Sequence, residues 1–340
     1  MIFLAYSIDV KTFPPLVREF ASYKSAIQDQ SQKTISEYLL DLRTFFRFLL
    51  ARDKSIKPDS KEFEEIDISS VDLDYIRNIT AEDIYEFLLY TDSERGNQAS
   101  ARSRKLSAIK GFFKYLTVKR MMFEENPAAN IESPKKAKSL PKYLTLEESL
   151  DLLAAVKNDK DSDNRVRDYA IITLFLNCGM RVSELVGIDI NDVDRFLRSL
   201  TVTGKGNKQR IVYLNDACRE ALGDYMTERL EGKYKNADTR ALFLSSRSQR
   251  ISVKTVQWMV YKYLDMAGLE SKHYSVHKLR HTAATLMYQT GNVDVRVLKD
   301  ILGHEQLNTT QIYTHVSNRS MEEAMAQNPL ATQKGTDDKE

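Results

Sequence analysis

Residues 131–142, IESPKKAKSLPK, interrupt the chain with two prolines, four lysines and little that could join a core. Proline fixes φ and removes a backbone donor, so such a stretch runs extended and separates what lies on either side. It leaves two segments of a 340-residue chain, each long enough to bury a core of its own. The expected organisation is a first domain over 1–130, a linker over 131–142, a second domain over 143–327 and a disordered tail over 328–340 that ends TQKGTDDKE.

The first segment reads as helical. Ile35, Tyr38, Leu39, Leu42, Phe45, Phe46 and Leu49 recur at three-to-four spacing and make one apolar stripe. Residues 53–78 are acidic and irregular, which predicts a loop or an insertion. Thr80 precedes AEDIYEFLLY, whose early acids suit a helix start.

The helix predicted over 98–120 has Leu106, Ile109, Phe113 and Leu116 on its apolar side and no acid anywhere. Arg102, Arg104, Lys105, Lys110, Lys114, Lys119 and Arg120 supply only positive charge. Ser103, Ser107, Lys110, Gly111 and Lys114 share a face away from the apolar stripe. Small and basic residues on one face let a helix approach a phosphate backbone, although charge runs also serve simply to solvate a surface. Arg102, Arg104, Lys105, Lys110 and Lys114, with the linker lysines Lys135, Lys136 and Lys138, are therefore the candidate DNA-binding residues.

In the second segment Thr145 and Glu148 form a capping-box pattern. The apolar run DYAIITLFLNCGM ends at Gly179, suited to a left-handed C-terminal position. Arg181 opens RVSELVGI, where its ordinary partner is Glu184. SLTVTGKGNKQRIVYL reads as a β-hairpin with a Gly-Lys-Gly-Asn-Lys tip. Further helices are expected near 215–230, 253–268, 276–290, 294–302, 308–315 and 318–326, with Cys178 and Trp258 as core residues. The fold class is mainly α with a small β-hairpin in the C-terminal domain.

Composition narrows the class further. A hydrophobic content of 42% with 29% charged residues is that of a soluble globular chain, and the formal charge of +2 argues against a wholly basic binder. Cys178 and Cys218 form no Cys-x-x-Cys pair, which points to a reducing, cytoplasmic setting. The start MIFLAYSIDVKTFPP lacks the basic region of a signal peptide, and no stretch reaches the roughly 20 apolar residues of a membrane span.

All five histidines, His273, His277, His281, His304 and His315, fall near the C-terminus with Arg280 and Tyr313. Arginine neutralises phosphate oxygens, imidazole moves protons, and a phenol can attack phosphorus. His277 and His281 have a zinc-ligand spacing, but Lys278 stands where a metalloprotease needs glutamate, so no metal is assigned.

Taken together, Arg181 in GMRVSELVGI, Lys205 in GKGNKQR, His277 and Arg280 in HKLRH, His304 in LGH and Tyr313 in IYTH resemble the ordered signature of the tyrosine recombinase (phage integrase) family. The resemblance is strong over about 145–325, extends to 15–142 as a helical core-binding domain, and is greatest to the Xer-type recombinases, from whose plain pattern the acidic 53–78 stretch departs. It implies a two-domain, C-shaped DNA clamp and a site-specific recombinase working through a Holliday junction, with no cofactor, metal or ATP. It also implies the roles. Tyr313 attacks the scissile phosphate to leave a 3′-phosphotyrosyl bond. Arg181 and Arg280 hold the non-bridging oxygens, Lys205 protonates the leaving 5′-oxygen, His277 acts as acid or base, and His304 donates to the phosphate. Partners would be double-stranded DNA and a homo-tetramer, or a heterotetramer with a paralogue, with C-terminal helices exchanged through Met321, Ala324 and Met325, and a DNA translocase. Chromosome or plasmid dimer resolution is the leading task. An integrase or transposase of a mobile element, a type IB topoisomerase and a non-catalytic DNA-binding regulator are the alternatives.

Overall fold

Side-chain caps decide where most of the helices begin. The computed structural model describes residues 8–58, 60–134, 142–232, 234, 237, 239–289 and 293–303, with Lys205 described by its backbone alone. The chain divides into two compact units, Met1–Lys138 and Ser139–Glu340.

The first unit contains α1 (Pro15–Ala26), α2 (Gln32–Asp53), α3 (Lys61–Glu65), α4 (Leu73–Arg77), α5 (Ala81–Ser93) and α6 (Ala99–Lys114). Ser31, Ser60 and Asp72 each accept an amide N–H at the start of α2, α3 and α4, and Thr80 and Asp83 form a reciprocal capping box on α5. Aromatic residues fill the centre: Phe45 and Phe87 meet edge-on at 5.1 Å, and Phe46 and Phe112 at 6.0 Å. The stripe of α6 is buried as its spacing predicts, with Leu106, Ile109, Phe113 and Leu116 all 0% exposed. After Lys114 the helix widens into a π turn over Tyr115–Lys119. The 53–78 stretch is not the loop its acidity suggests. It contains α3 and α4, because Phe63, Ile66, Ile68, Val71 and Ile76 are buried while the acids between them face water. Ile131, at the start of the predicted linker, also belongs to this core.

The second unit runs α7 (Leu146–Asn158), α8 (Arg165–Cys178), α9 (Val182–Gly187), β1 (Ser199–Thr203), β2 (Gln209–Tyr213), α10 (Asp216–Leu230), α11 (Val253–Met266), α12 (Val276–Gln289) and α13 (Val295–Leu302). The Thr145–Glu148 capping box forms at α7. Helix α8 is buried on nearly every side, packs against α7, α10 and α12, and stops at Gly179 with φ +58°. Strands β1 and β2 pair antiparallel, with Leu200 opposite Val212 and Val202 opposite Arg210. Cys178 is in the core, as expected, but Trp258 is 78% exposed. The apolar stripe of α11 passes through Val256, Met259, Val260, Tyr263 and Leu264, which turns position 258 outward. No helix among the described residues is long and apolar enough to cross a membrane. The helices predicted at 308–315 and 318–326 and the tail over 328–340 lie outside the described residues.

Candidate active site

The positive φ at Gly179 turns the chain sharply out of α8 and brings Arg181 to the N-cap of α9. One turn on, the Glu184 carboxylate reaches back. Its Oε2 accepts the Arg181 backbone N–H at 2.7 Å, and its Oε1 accepts the Arg181 guanidinium at 2.7 Å. The ion pair expected from sequence thus forms, but Glu184 is 1% exposed and serves more than one arginine. From β2, Arg210 meets both of its oxygens, at 2.8 and 3.1 Å. From α12, Arg280 stands 4.0 Å away. Burial pushes the Glu184 carboxyl up, but the hydrogen bonds and charge of Arg210 and Arg181 outweigh it and hold the group below the usual carboxylate range.

The same three guanidiniums also bind the end of α13. Arg210 Nε donates to Ile301 O at 3.2 Å, Arg280 Nη2 to Leu302 O at 2.6 Å and Arg181 Nη2 to Gly303 O at 3.1 Å. These are consecutive carbonyls at a helix C-terminus, where unpaired acceptors and the negative end of the helix dipole attract cations. Gly303 closes the helix in the left-handed conformation, φ +63°, and a Cβ there would lie 3.0 Å from Arg210 Cδ. Arg280 is 2% exposed and makes a further bond from Nη1 to Gly179 O at 2.7 Å, which ties α12 to the exit of α8.

His277 lies three residues before Arg280 on α12, and its ring meets that of His281 edge-on at 4.6 Å. Desolvation of the imidazole, with the nearby cations Arg280, Lys278 and Arg181, pushes its pKa down. His277 is therefore neutral near pH 7 and able to accept a proton. Lys205 begins the short helical turn at the hairpin tip, Lys205–Asn207, next to Gly204, whose N–H donates to Lys208 O at 2.7 Å. His304 and Tyr313 lie outside the described residues.

The basic helix of the first unit divides into committed and open cations. Lys105 requires a correction: it is 7% exposed and bonds Asp41 at 3.0 Å, so it is part of the buried structure and does not face a phosphate. A helical wheel shows its face but not the carboxylate that α2 supplies. Arg104 is paired with Glu37 at 2.8 Å and Asp41 at 2.5 Å, and Arg102 with Asp92 at 2.5 Å. Lys110 donates to Ala129 O at 3.2 Å, and Lys114 is exposed. The helical wheel also missed a neighbouring cation, Lys24 of α1. Its ammonium lies 5.2 Å from the Phe20 ring centroid and would be 3.8 Å from a Cβ at Gly111; burial and then Lys114 push its pKa down. Lys135, Lys136 and Lys138 lie outside the described residues. Arg210 was also missed, although it follows Lys205 by five positions in the same hairpin and alternates onto the inner side.

Comparison with known proteins places these features in context. The sequence profile of the phage integrase family matches residues 142–320, and that of the phage integrase N-terminal SAM-like domain matches 66–120. A tyrosine recombinase XerC from Caldanaerobacter subterraneus subsp. tengcongensis is 50% identical over 319 residues, covering 94% of this chain and 88% of that protein. A tyrosine recombinase XerC from Thermodesulfovibrio yellowstonii is 34% identical over 303 residues, covering 88% and 91%. Among solved structures, the XerH site-specific recombinase bound to palindromic difH substrate, a post-cleavage complex, matches with a TM-score of 0.66 at 24% identity, over 92% of this chain and 94% of that one. The lambda integrase tetramer bound to a Holliday junction matches at 0.61 and 17% identity, over 88% and 76%. At these identities the structures speak for the fold.

Proposed function

The chain belongs to the phage integrase family of tyrosine recombinases, and from that premise we propose that it cuts and rejoins double-stranded DNA at specific sites through a 3′-phosphotyrosyl intermediate. The observation that carries this reading is the convergence of Arg181 and Arg280 on one buried carboxylate and on the end of α13, immediately before His304. Guanidiniums fixed before substrate arrives stabilise charge as it develops on phosphorus, without reorganisation at the moment of reaction.

In the proposed reaction Tyr313 attacks the scissile phosphate, and its phenolic proton passes to a base, for which neutral His277 is suited. Arg181 and Arg280 bear on the non-bridging oxygens, and His304 donates to the same phosphate. Lys205, at a hairpin tip, protonates the departing 5′-oxygen. The phosphoester is exchanged for a phosphotyrosyl ester, so a 5′-hydroxyl from a second strand reverses the step with no energy source. Two duplexes would be handled by four copies, or by two copies and two of a paralogue, joined through exchange of the C-terminal segment. Dimer resolution, with a DNA translocase acting on the assembly, is the task we infer.

The test is capture on nicked duplexes, which strand the covalent intermediate. Tyr313→Phe is expected to yield no denaturant-resistant adduct while DNA affinity stays within a few-fold. Arg280→Ala should slow capture by about 10²–10³ with a much smaller change in affinity. An adduct formed by the phenylalanine variant would overturn the assignment of the nucleophile.

A further inference from the structure

We propose that Arg210 is a positioning residue for strand cleavage: it supplies the counter-charge to Glu184 and anchors the end of α13, and so sets where Arg181 and Arg280 stand. This rests on the recombinase reading and extends it to a residue that touches no reacting atom.

Among the described residues Glu184 is the one carboxylate shared by the three arginines, and at 1% exposure it is shut off from solvation by water. Arg181 is already paired with Glu184 at 2.7 Å, and without a further cation the carboxylate would draw Arg280 into a full ion pair as well, away from an incoming phosphate. Arg210 prevents this geometrically. It meets both carboxylate oxygens, Nη1 on Oε1 at 2.8 Å and Nη2 on Oε2 at 3.1 Å. Oε1 is thereby divided between Arg181 and Arg210, while Arg280 stays at 4.0 Å. Three guanidiniums and one carboxylate leave a net charge of plus two, which suits a phosphorus centre that gains negative charge on the way to its transition state.

The third nitrogen of Arg210 has a separate use. Nε holds Ile301 O, beside the carbonyls held by Arg280 and Arg181, and the Arg210 stem fills the space that a Cβ on Gly303 would need. Because Arg210 sits on β2, the hairpin whose tip carries Lys205 is fastened to the helix that precedes His304. Lysine cannot reproduce this. An ammonium has charge and three donors but no planar fork, so it cannot meet both carboxylate oxygens and the carbonyl in the directions that Arg210 does.

The experiment uses full-length chain and a pool of randomised nicked duplexes, the sequences captured by the wild type being resynthesised for every variant. Arg210→Lys is expected to lower the single-turnover rate of covalent capture on the order of 10²-fold, while the half-saturating DNA concentration stays within about threefold, as a loss confined to the transition state requires. Arg210→Met should be slower still, and Arg210→Met combined with Glu184→Gln should recover at least tenfold over Arg210→Met alone. Equal capture by Arg210→Lys and wild type, a parallel loss of rate and affinity, or no recovery in the double variant would each overturn the proposal. Thermal melts of all variants guard the comparison: if Arg210→Met fails to fold, Arg210→Lys and its rate-against-affinity split still decide. Absence of an adduct from the wild-type chain would count instead against the recombinase reading.

Discussion

Replacing Gly179 with alanine tests the junction that carries the site. The backbone there has φ +58°, which costs an L-residue about 1–2 kcal/mol. The added Cβ would also lie 2.8 Å from Leu302 Cδ2 and 3.4 Å from Ala283 Cβ. Leu302 is fully buried against Ala284 and Leu298, so turning it aside disturbs a packed cluster, at about 1–3 kcal/mol. Gly268 provides the control within the same unit: its φ is +70°, but nothing lies within 4 Å of its Cβ position. Gly268→Ala should therefore cost only the backbone component, about 1–2 kcal/mol, and Gly179→Ala about 2–5 kcal/mol. For a unit of this size each kcal/mol moves Tm by about 2–4 °C, so Gly179→Ala should melt at least about 2 °C below Gly268→Ala. Differential scanning calorimetry of the full chain reads both. Covalent capture should slow only in Gly179→Ala, because Gly179 O anchors Arg280. Equal melting losses in the two variants would refute the steric argument.

Three further outcomes are expected. Asp41→Asn removes one partner of a buried ion pair and should destabilise the first unit by about 3–5 kcal/mol in chemical denaturation, with DNA affinity unchanged once the protein is folded. Lys114→Ala should leave stability intact, weaken DNA binding and reduce the slope of log affinity against log salt by about 0.9, since its ammonium is exposed; an unchanged slope would remove it from the interface. The folded Glu184 carboxyl titrates below its usual value, so its contribution to stability is complete above the unfolded pKa and disappears as the pH falls through the folded one. The Tm gap between wild type and Glu184→Gln should therefore be widest near neutrality and shrink on acidification from about pH 5; a gap that widens in acid would contradict the arginine-dominated environment.

What could be read in advance was whatever depends on neighbours three or four residues away. The α6 stripe, the Thr145–Glu148 box, the Gly179 turn and the hairpin all follow from local spacing, and each is present. Lys105 was misjudged because its partner Asp41 is 64 positions away on α2. Trp258 was misplaced because a tryptophan within an apolar run looks like core until the stripe on either side is counted. The acidic 53–78 stretch concealed five buried apolar residues behind its net charge. In the site, Arg181 and Glu184 were legible as a pair three apart, whereas the Arg181 bond to Gly303 O spans 122 positions and no periodicity announces it.

Helix α13 is only eight residues long, and a helix that short is marginal in water without partners. Its end is stapled by side chains from α9, β2 and α12, segments that leave the ribosome well before or just ahead of it. Losing any one of these side chains leaves a carbonyl at that end without its guanidinium and the helix less firmly held. The frame that receives the C-terminal part of the site is thus synthesised before the segment it holds.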